Sequence, residues 1–231
     1  MQEEIYARLL SLAEPEYRAF HMRLCKTRYP ILGVRIPALR AIAKEICCGN
    51  WRAFSDSCAG ESYEQIMLEG FVLAGAKMPL EEKLARTADY IKKPDCWALT
   101  DCVVPSYRFR KQDLAQILAF FEPYLHSQEE FQLRFALIVL LDYFLVDEYA
   151  PWVAKTVAAV QHDGYYVNMA RAWLLAELAT DYDALTFSLL EGAQLDTFTH
   201  NQTISKLCDS RRIPDARKAY ARSLRRKGEA T

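Results

Sequence analysis

Apolar residues recur every three to four positions along this chain, and nowhere does the strict alternation of a half-buried strand persist. The period of the pattern decides which face an element can bury, so this pattern predicts helices packed side by side. Breakers are scarce: 231 residues contain eight glycines and nine prolines, too few for the turns of a strand-rich fold. Long stretches of Ala, Leu, Glu, Lys and Arg favour helix as well.

About a dozen helices are expected, joined by short loops. Ile5, Leu9, Leu10 and Leu12 predict a buried stripe on the first, and Pro15 opens a second that runs through Phe20, Met22 and Leu24. Tyr29 to Arg35, with Pro30 and Gly33, reads as a loop. Pro37 suits the first turn of the next helix, where its missing N–H costs nothing, and Leu39, Ile42, Ala43 and Ile46 follow at helical spacing. A short helix is expected from Trp51 to Cys58, then an antiparallel pair over Tyr63 to Lys77 and Pro79 to Lys93. Asp95 is placed to N-cap a helix from about Cys96 to Val104, which Pro105 ends. Lys111 to His126, Glu129 to Leu145, Glu148 to Gln161, Tyr165 to Thr180 and Tyr182 to Gly192 are the next helices. Thr197 to Cys208 and Pro214 to Lys227 form the last pair.

Helix pairs with short turns, each offering one apolar face, are what an α-solenoid needs. The expected fold class is all-α, an α-α superhelix of degenerate HEAT-like repeats, because no exact repeat period is visible. No composition shift marks a linker, so residues 1–231 are read as one domain with a concave face.

The formal net charge of −1 excludes a uniformly basic nucleic-acid binder but leaves room for a local basic face. Lys206 to Lys227 holds nine Lys or Arg against two Asp, a patch able to meet phosphates or simply a solvated terminal helix. Seven cysteines without regular spacing and four separated histidines form neither a zinc signature nor a disulfide framework. Buried free thiols in a reducing compartment are expected. The Met-Gln-Glu-Glu start has no secretory signal character. The longest apolar run, Phe135 to Leu141, falls far short of the ~20 residues of a membrane span. A cytoplasmic monomer, associated with the nucleoid when bound to DNA, is the expectation.

Nucleophile-elbow, Walker and dinucleotide signatures are absent, so any chemistry rests on polar residues within helices. Trp97 and Asp101 stand four apart, on one helix face. An indole beside a carboxylate can embrace a cation, and the same spacing suits a core tryptophan with a capping aspartate. Arg134 begins a nearly apolar helix, where a charge must be paired. It could bind a phosphate, orient a carboxylate such as Asp101 bidentately, or form a structural ion pair. Tyr166 and Trp173 lie seven apart, on nearly one face, lining either a core or a cleft.

Taken together these segments are familiar. Gly33-Val34-Arg35-Ile36-Pro37-Ala38-Leu39-Arg40, followed by Ile42-Ala43-Lys44, resembles the N-terminal signature of the AlkD-type DNA alkylation repair family. Trp97-x-x-x-Asp101 matches its tryptophan–aspartate motif, Arg134-Phe135-Ala136 its arginine motif, and Ala170-Arg171-Ala172-Trp173 its second tryptophan, all in family order. Pro79 to Lys83, Asn201 to Lys206 and Ser210-Arg211 resemble a shorter Gram-positive branch. Three positions depart from the pattern: Ala98 follows the first tryptophan where an acidic residue is common, Met169 stands where a lysine is common, and Gln202 follows Asn201.

The resemblance implies a HEAT-like superhelix that holds duplex DNA carrying alkylated purines. It implies hydrolysis of the N-glycosidic bond of a cationic N3- or N7-alkylpurine without extrusion of the base, and no metal or organic cofactor. Asp101 would stabilise the oxocarbenium ion and position water, Trp97 and Trp173 would pack on the sugar, and Arg134 would hold a phosphate or orient Asp101. Arg35, Arg40, Tyr166, Arg171, Lys206, Arg211 and Arg212 would contact the nucleic acid. Two other functions suit the same helices: a non-catalytic binder of damaged or branched DNA, suggested by the basic C-terminal segment, and a protein-interaction scaffold, suggested by the low net charge.

Overall fold

A computed structural model describes residues 2–58 and 60–227. All regular structure there is helical, and no strand occurs among the described residues. The chain divides into two compact units, Met1–Phe109 and Arg110–Thr231.

The first unit holds α1 (Gln2–Ser11), α2 (Pro15–Leu24), α3 (Ile36–Cys48), α4 (Trp51–Ser57), α5 (Tyr63–Gly75), α6 (Leu80–Tyr90) and α7 (Trp97–Asp101). α5 forms its core. Ser62 caps it by accepting the N–H of Gln65, and every side chain from Tyr63 to Ala74 is buried. Even its glycine is fitted: a Cβ on Gly70 would lie 2.6 Å from the Tyr90 hydroxyl. α3, α4, α6 and α7 pack around this helix. At the far end of α5 the Lys83 ammonium donates to the carbonyls of Leu73, Ala74 and Ala76, groups a helix end otherwise leaves unpaired.

The Tyr29–Arg35 segment is a loop, as expected, and one buried carboxylate organises it. Glu64, on α5, accepts the main-chain N–H groups of Leu32, Gly33 and Val34. Gly33 turns there with φ +98°, and a Cβ on it would meet the Arg18 Cβ and the Glu14 carbonyl at 2.7 Å. The turn thus requires glycine.

The second unit holds α8 (Leu114–Phe121), α9 (Glu130–Tyr143), α10 (Ala150–Ala159), α11 (Tyr165–Leu178), α12 (Asp183–Glu191), α13 (Thr197–Asp209) and α14 (Asp215–Ser223). α11 packs between α9 and α13, while α10 and α12 lie against each other and against α11. Two layers of paired helices around one apolar interior result. Leu133 to Leu140 of α9 is buried throughout, with Arg134 its one polar member.

Several expectations need correction. α7 is five residues long, and a 3-10 turn over Val104–Ser106 follows it around Pro105. Asp95 does not cap it: its carboxylate is taken by the Thr27 hydroxyl and the Arg28 N–H. The helix expected from Lys111 to His126 is α8 flanked by 3-10 turns at Lys111–Asp113 and Glu122–His126, the latter with Pro123 in its first turn. In α1 only Leu9 is buried, and Leu10, Leu12, Phe20, Met22 and Leu24 are all exposed. All seven thiols are free, but only Cys25 and Cys96 are buried and Cys48 is exposed. No helix among the described residues is long and apolar enough to cross a membrane.

Candidate active site

α7 is a helix of one and a half turns whose middle, Ala98, Leu99 and Thr100, is buried. Its two ends, Trp97 and Asp101, are half-buried and reach solvent. Both ends are held. The Trp97 indole N–H donates to the Leu24 carbonyl at 3.2 Å. The Thr100 hydroxyl lies 2.7 Å from the Asp101 Oδ1 and 2.7 Å from the Trp97 carbonyl. Arg40 closes the C-terminal end, donating to the Cys102 carbonyl and the Ser106 hydroxyl, with its guanidinium 4.3 Å from the centre of the Phe71 ring.

Thiols line the buried side. Cys96, hydrogen-bonded by Cys25 and facing the N–H groups of Ala98 and Leu99, is held below the ordinary thiol range. Cys25, its donor, is pushed up. Burial, followed by the Asp101 charge, lifts Cys102 to about 11. Arg35 is exposed but engaged: it pairs with both oxygens of Glu14 at 2.8 Å and lies over the Tyr17 ring.

The second unit presents its own group. Arg134, 5% exposed, donates to the Tyr166 carbonyl and lies 6.0 Å from that ring's centre. Glu130 accepts the Tyr166 N–H, which fixes the start of α11. Trp173 is half-buried, and its indole N–H donates to Glu177 one turn later. The other oxygen of Glu177 is taken by Arg212. The side chains of Lys206 and Arg211 make no hydrogen bond or ion pair among the described residues, and Arg211 is exposed.

Arg171 sits differently from the nucleic-acid contact the motif suggested. It is 3% exposed. Its guanidinium donates to Val157, Ala158, Asn168, Asp196 and Thr199, which makes it a tie between α10, α11 and α13. It faces a groove of about 1180 Å³ lined by α10 and α12, to which Arg134, Tyr166 and Trp173 contribute nothing. Much of the basic C-terminal segment is likewise engaged internally. Arg226 donates to the carbonyls of Gly192 and Leu195, and Arg217 pairs with Asp183 over the Phe187 ring. Asn201 accepts the Arg226 N–H and donates to its carbonyl.

The sequence model of the family described as DNA alkylation repair enzyme matches residues 5–207. The chain belongs to that family. Every motif that carried the resemblance lies inside the matched span except Ser210-Arg211, and most of the basic C-terminal segment lies beyond it. Membership of the DNA alkylation repair enzyme family places the protein in DNA repair. No curated protein matches it. Among the described residues no group of three or more His, Cys, Asp or Glu could hold a metal ion.

Two residues of this family member escaped the sequence reading. Glu177 could have been found by its spacing of four from Trp173 on α11. Thr100 carries no signal beyond its place next to Asp101.

Proposed function

We propose that the protein hydrolyses the N-glycosidic bond of purines carrying a cationic N3- or N7-alkyl group, in duplex DNA and without extruding the base. The observation that supports this reading best is the pattern of α7: it buries its middle and leaves Trp97 and Asp101 at the surface. A core tryptophan would be buried at the first position, and Trp97 is not.

An alkylated base is already cationic, so it departs as a neutral molecule and needs no strong acid. As the bond from its nitrogen to C1′ breaks, the electron pair leaves with the base and positive charge grows on the sugar. A fixed carboxylate beside that charge stabilises it. Asp101 serves this role, then takes the proton of the water whose oxygen bonds C1′. Trp97 offers a ring face to the sugar, which adds attraction for the developing cation; Trp173, of the second unit, is proposed for the same task on its motif alone. Arg134, almost wholly buried and bonded to a main-chain carbonyl, suits a fixed positive charge that orients its neighbours better than a mobile phosphate clasp.

The test is release of 7-methylguanine and 3-methyladenine from methylated duplex DNA, by wild type beside Asp101→Asn. Release by wild type, and loss of it by about 100-fold or more in the variant at unchanged melting temperature, supports the reading. A folded wild type that releases neither base overturns it.

A further inference from the structure

The Thr100 hydroxyl has one proton and two acceptors. It is completely buried, so no water competes for it. The Trp97 carbonyl lies 2.7 Å away on one side and the Asp101 Oδ1 2.7 Å away on the other. Both are within the usual range for an O–H donor. One proton cannot fully satisfy both at once, so the hydroxyl has two orientations, and the charge on Asp101 selects between them.

We infer that Thr100 is a positioning residue for the carboxylate of Asp101, a donor with two settings that follow the charge on its neighbour. The inference rests on the reading that Asp101 takes a proton during base release. With Asp101 ionised, the hydroxyl proton points at Oδ1, because a hydrogen bond to a charged acceptor is the stronger one. That bond holds the carboxylate in one rotamer beside the Trp97 backbone. When the proton from the attacking water reaches Asp101 at Oδ1, that oxygen becomes a donor. The Thr100 hydroxyl then accepts from it and turns its own proton to the Trp97 carbonyl. No hydrogen bond is lost in the step and no buried polar group is left unpaired. Nothing is consumed: one proton moves from water to Asp101, and the hydroxyl rotates.

A threonine that merely bonded back to a carbonyl three residues earlier would be an ordinary local helix feature. Rates separate the two roles. The test compares wild type, Thr100→Val and Thr100→Ser, each alone and with Asp101→Asn, in single-turnover base release from a duplex oligonucleotide carrying 7-methylguanine, with the Kd for that duplex measured in parallel. Valine keeps the shape and deletes the hydroxyl, while serine keeps the hydroxyl. Thr100→Val is expected to slow release about tenfold to a hundredfold with an unchanged Kd. Thr100→Ser should stay within about threefold of wild type. Adding Thr100→Val to Asp101→Asn should change nothing further, because a residue that acts through Asp101 has nothing left to position.

Full activity in Thr100→Val, failure of serine to restore the rate, or an equal loss in the Asp101→Asn background each overturns the inference while leaving the glycosylase reading standing. Absence of release by wild type overturns both. If Thr100→Val fails to fold, Thr100→Ala replaces it under the same criteria.

Discussion

Trp97 donates its indole N–H to the carbonyl oxygen of Leu24, so the ring assigned to the sugar is tied by its edge to the last residue of α2. The tie fixes the direction of the ring face. Trp97→Phe keeps an aromatic face but loses the donor and part of the ring. Base release should fall by about 3- to 30-fold, the rate equivalent of roughly 0.5–2 kcal/mol of ring–cation attraction. Stability should drop by only about 1 kcal/mol, the worth of one hydrogen bond. Release rate and melting temperature measured on the same sample check this, and an unchanged rate would remove Trp97 from the site.

Arg171 and Arg211 are expected to behave oppositely. Arg171 is buried and donates to five residues. Arg171→Met should destabilise the protein by about 3 kcal/mol, because it strands buried acceptors. Arg211 is exposed without a partner among the described residues. Arg211→Ala should leave the melting temperature alone and reduce the slope of log Kd against log salt for duplex DNA by about 1. Denaturant melts and a salt titration distinguish the two.

Glu64→Gln should cost about 2–3 kcal/mol. The carboxylate accepts three main-chain N–H groups of the Leu32–Val34 turn, and glutamine puts an amide N–H among them. For a chain of this size that is a fall of roughly 4–12 °C in the melting temperature. Because Gly33 also accepts the Glu14 N–H, amide exchange should speed up first around residues 14 and 32–34.

Acidification should weaken the fold through two histidines. His21 packs between the Tyr17 and Tyr63 rings, with a buried Nε2 that has no partner among the described residues. Burial holds its protonation below the ordinary histidine range. Burial does the same to His200. The unfolded chain therefore binds protons that the folded chain refuses, so this part of the stability is present above about pH 6.5 and is lost as pH falls below it. His21→Phe should lose less melting temperature than wild type between pH 7 and pH 5. Identical losses in the two proteins would show that His21 does not titrate this way.

The helical architecture was legible because burial imposes a period on the sequence. α5, α9 and α11 are buried along most of their length, and each falls within a helix expected from the sequence, over Tyr63 to Lys77, Glu129 to Leu145 and Tyr165 to Thr180. The N-terminal pair misled, since Leu10, Phe20 and Leu24 have helical spacing yet lie exposed. Spacing shows which residues share a face, and it is silent on whether anything covers that face. Spacing singled out Trp97, Asp101 and Trp173 but left each open between core and cleft, and only the resemblance gave them candidate roles. Arg171 shows the limit of that route: it stands in the motif, but its side chain serves the packing. Asp95 misled for a related reason, because the Thr27 and Arg28 donors that claim it lie 68 and 67 residues away in the chain.

Arg35 already has a carboxylate in Glu14, and Arg212 has one in Glu177. A phosphate that recruits either arginine must first displace its acid. The free energy of each such contact is then the difference between two ion pairs, a small quantity beside a fresh charge neutralisation. On the proposed function, undamaged duplex would then be held weakly through these two arginines, and a lesion would be distinguished by what the sugar and its cationic base offer at Trp97 and Asp101, rather than by how firmly the backbone is gripped.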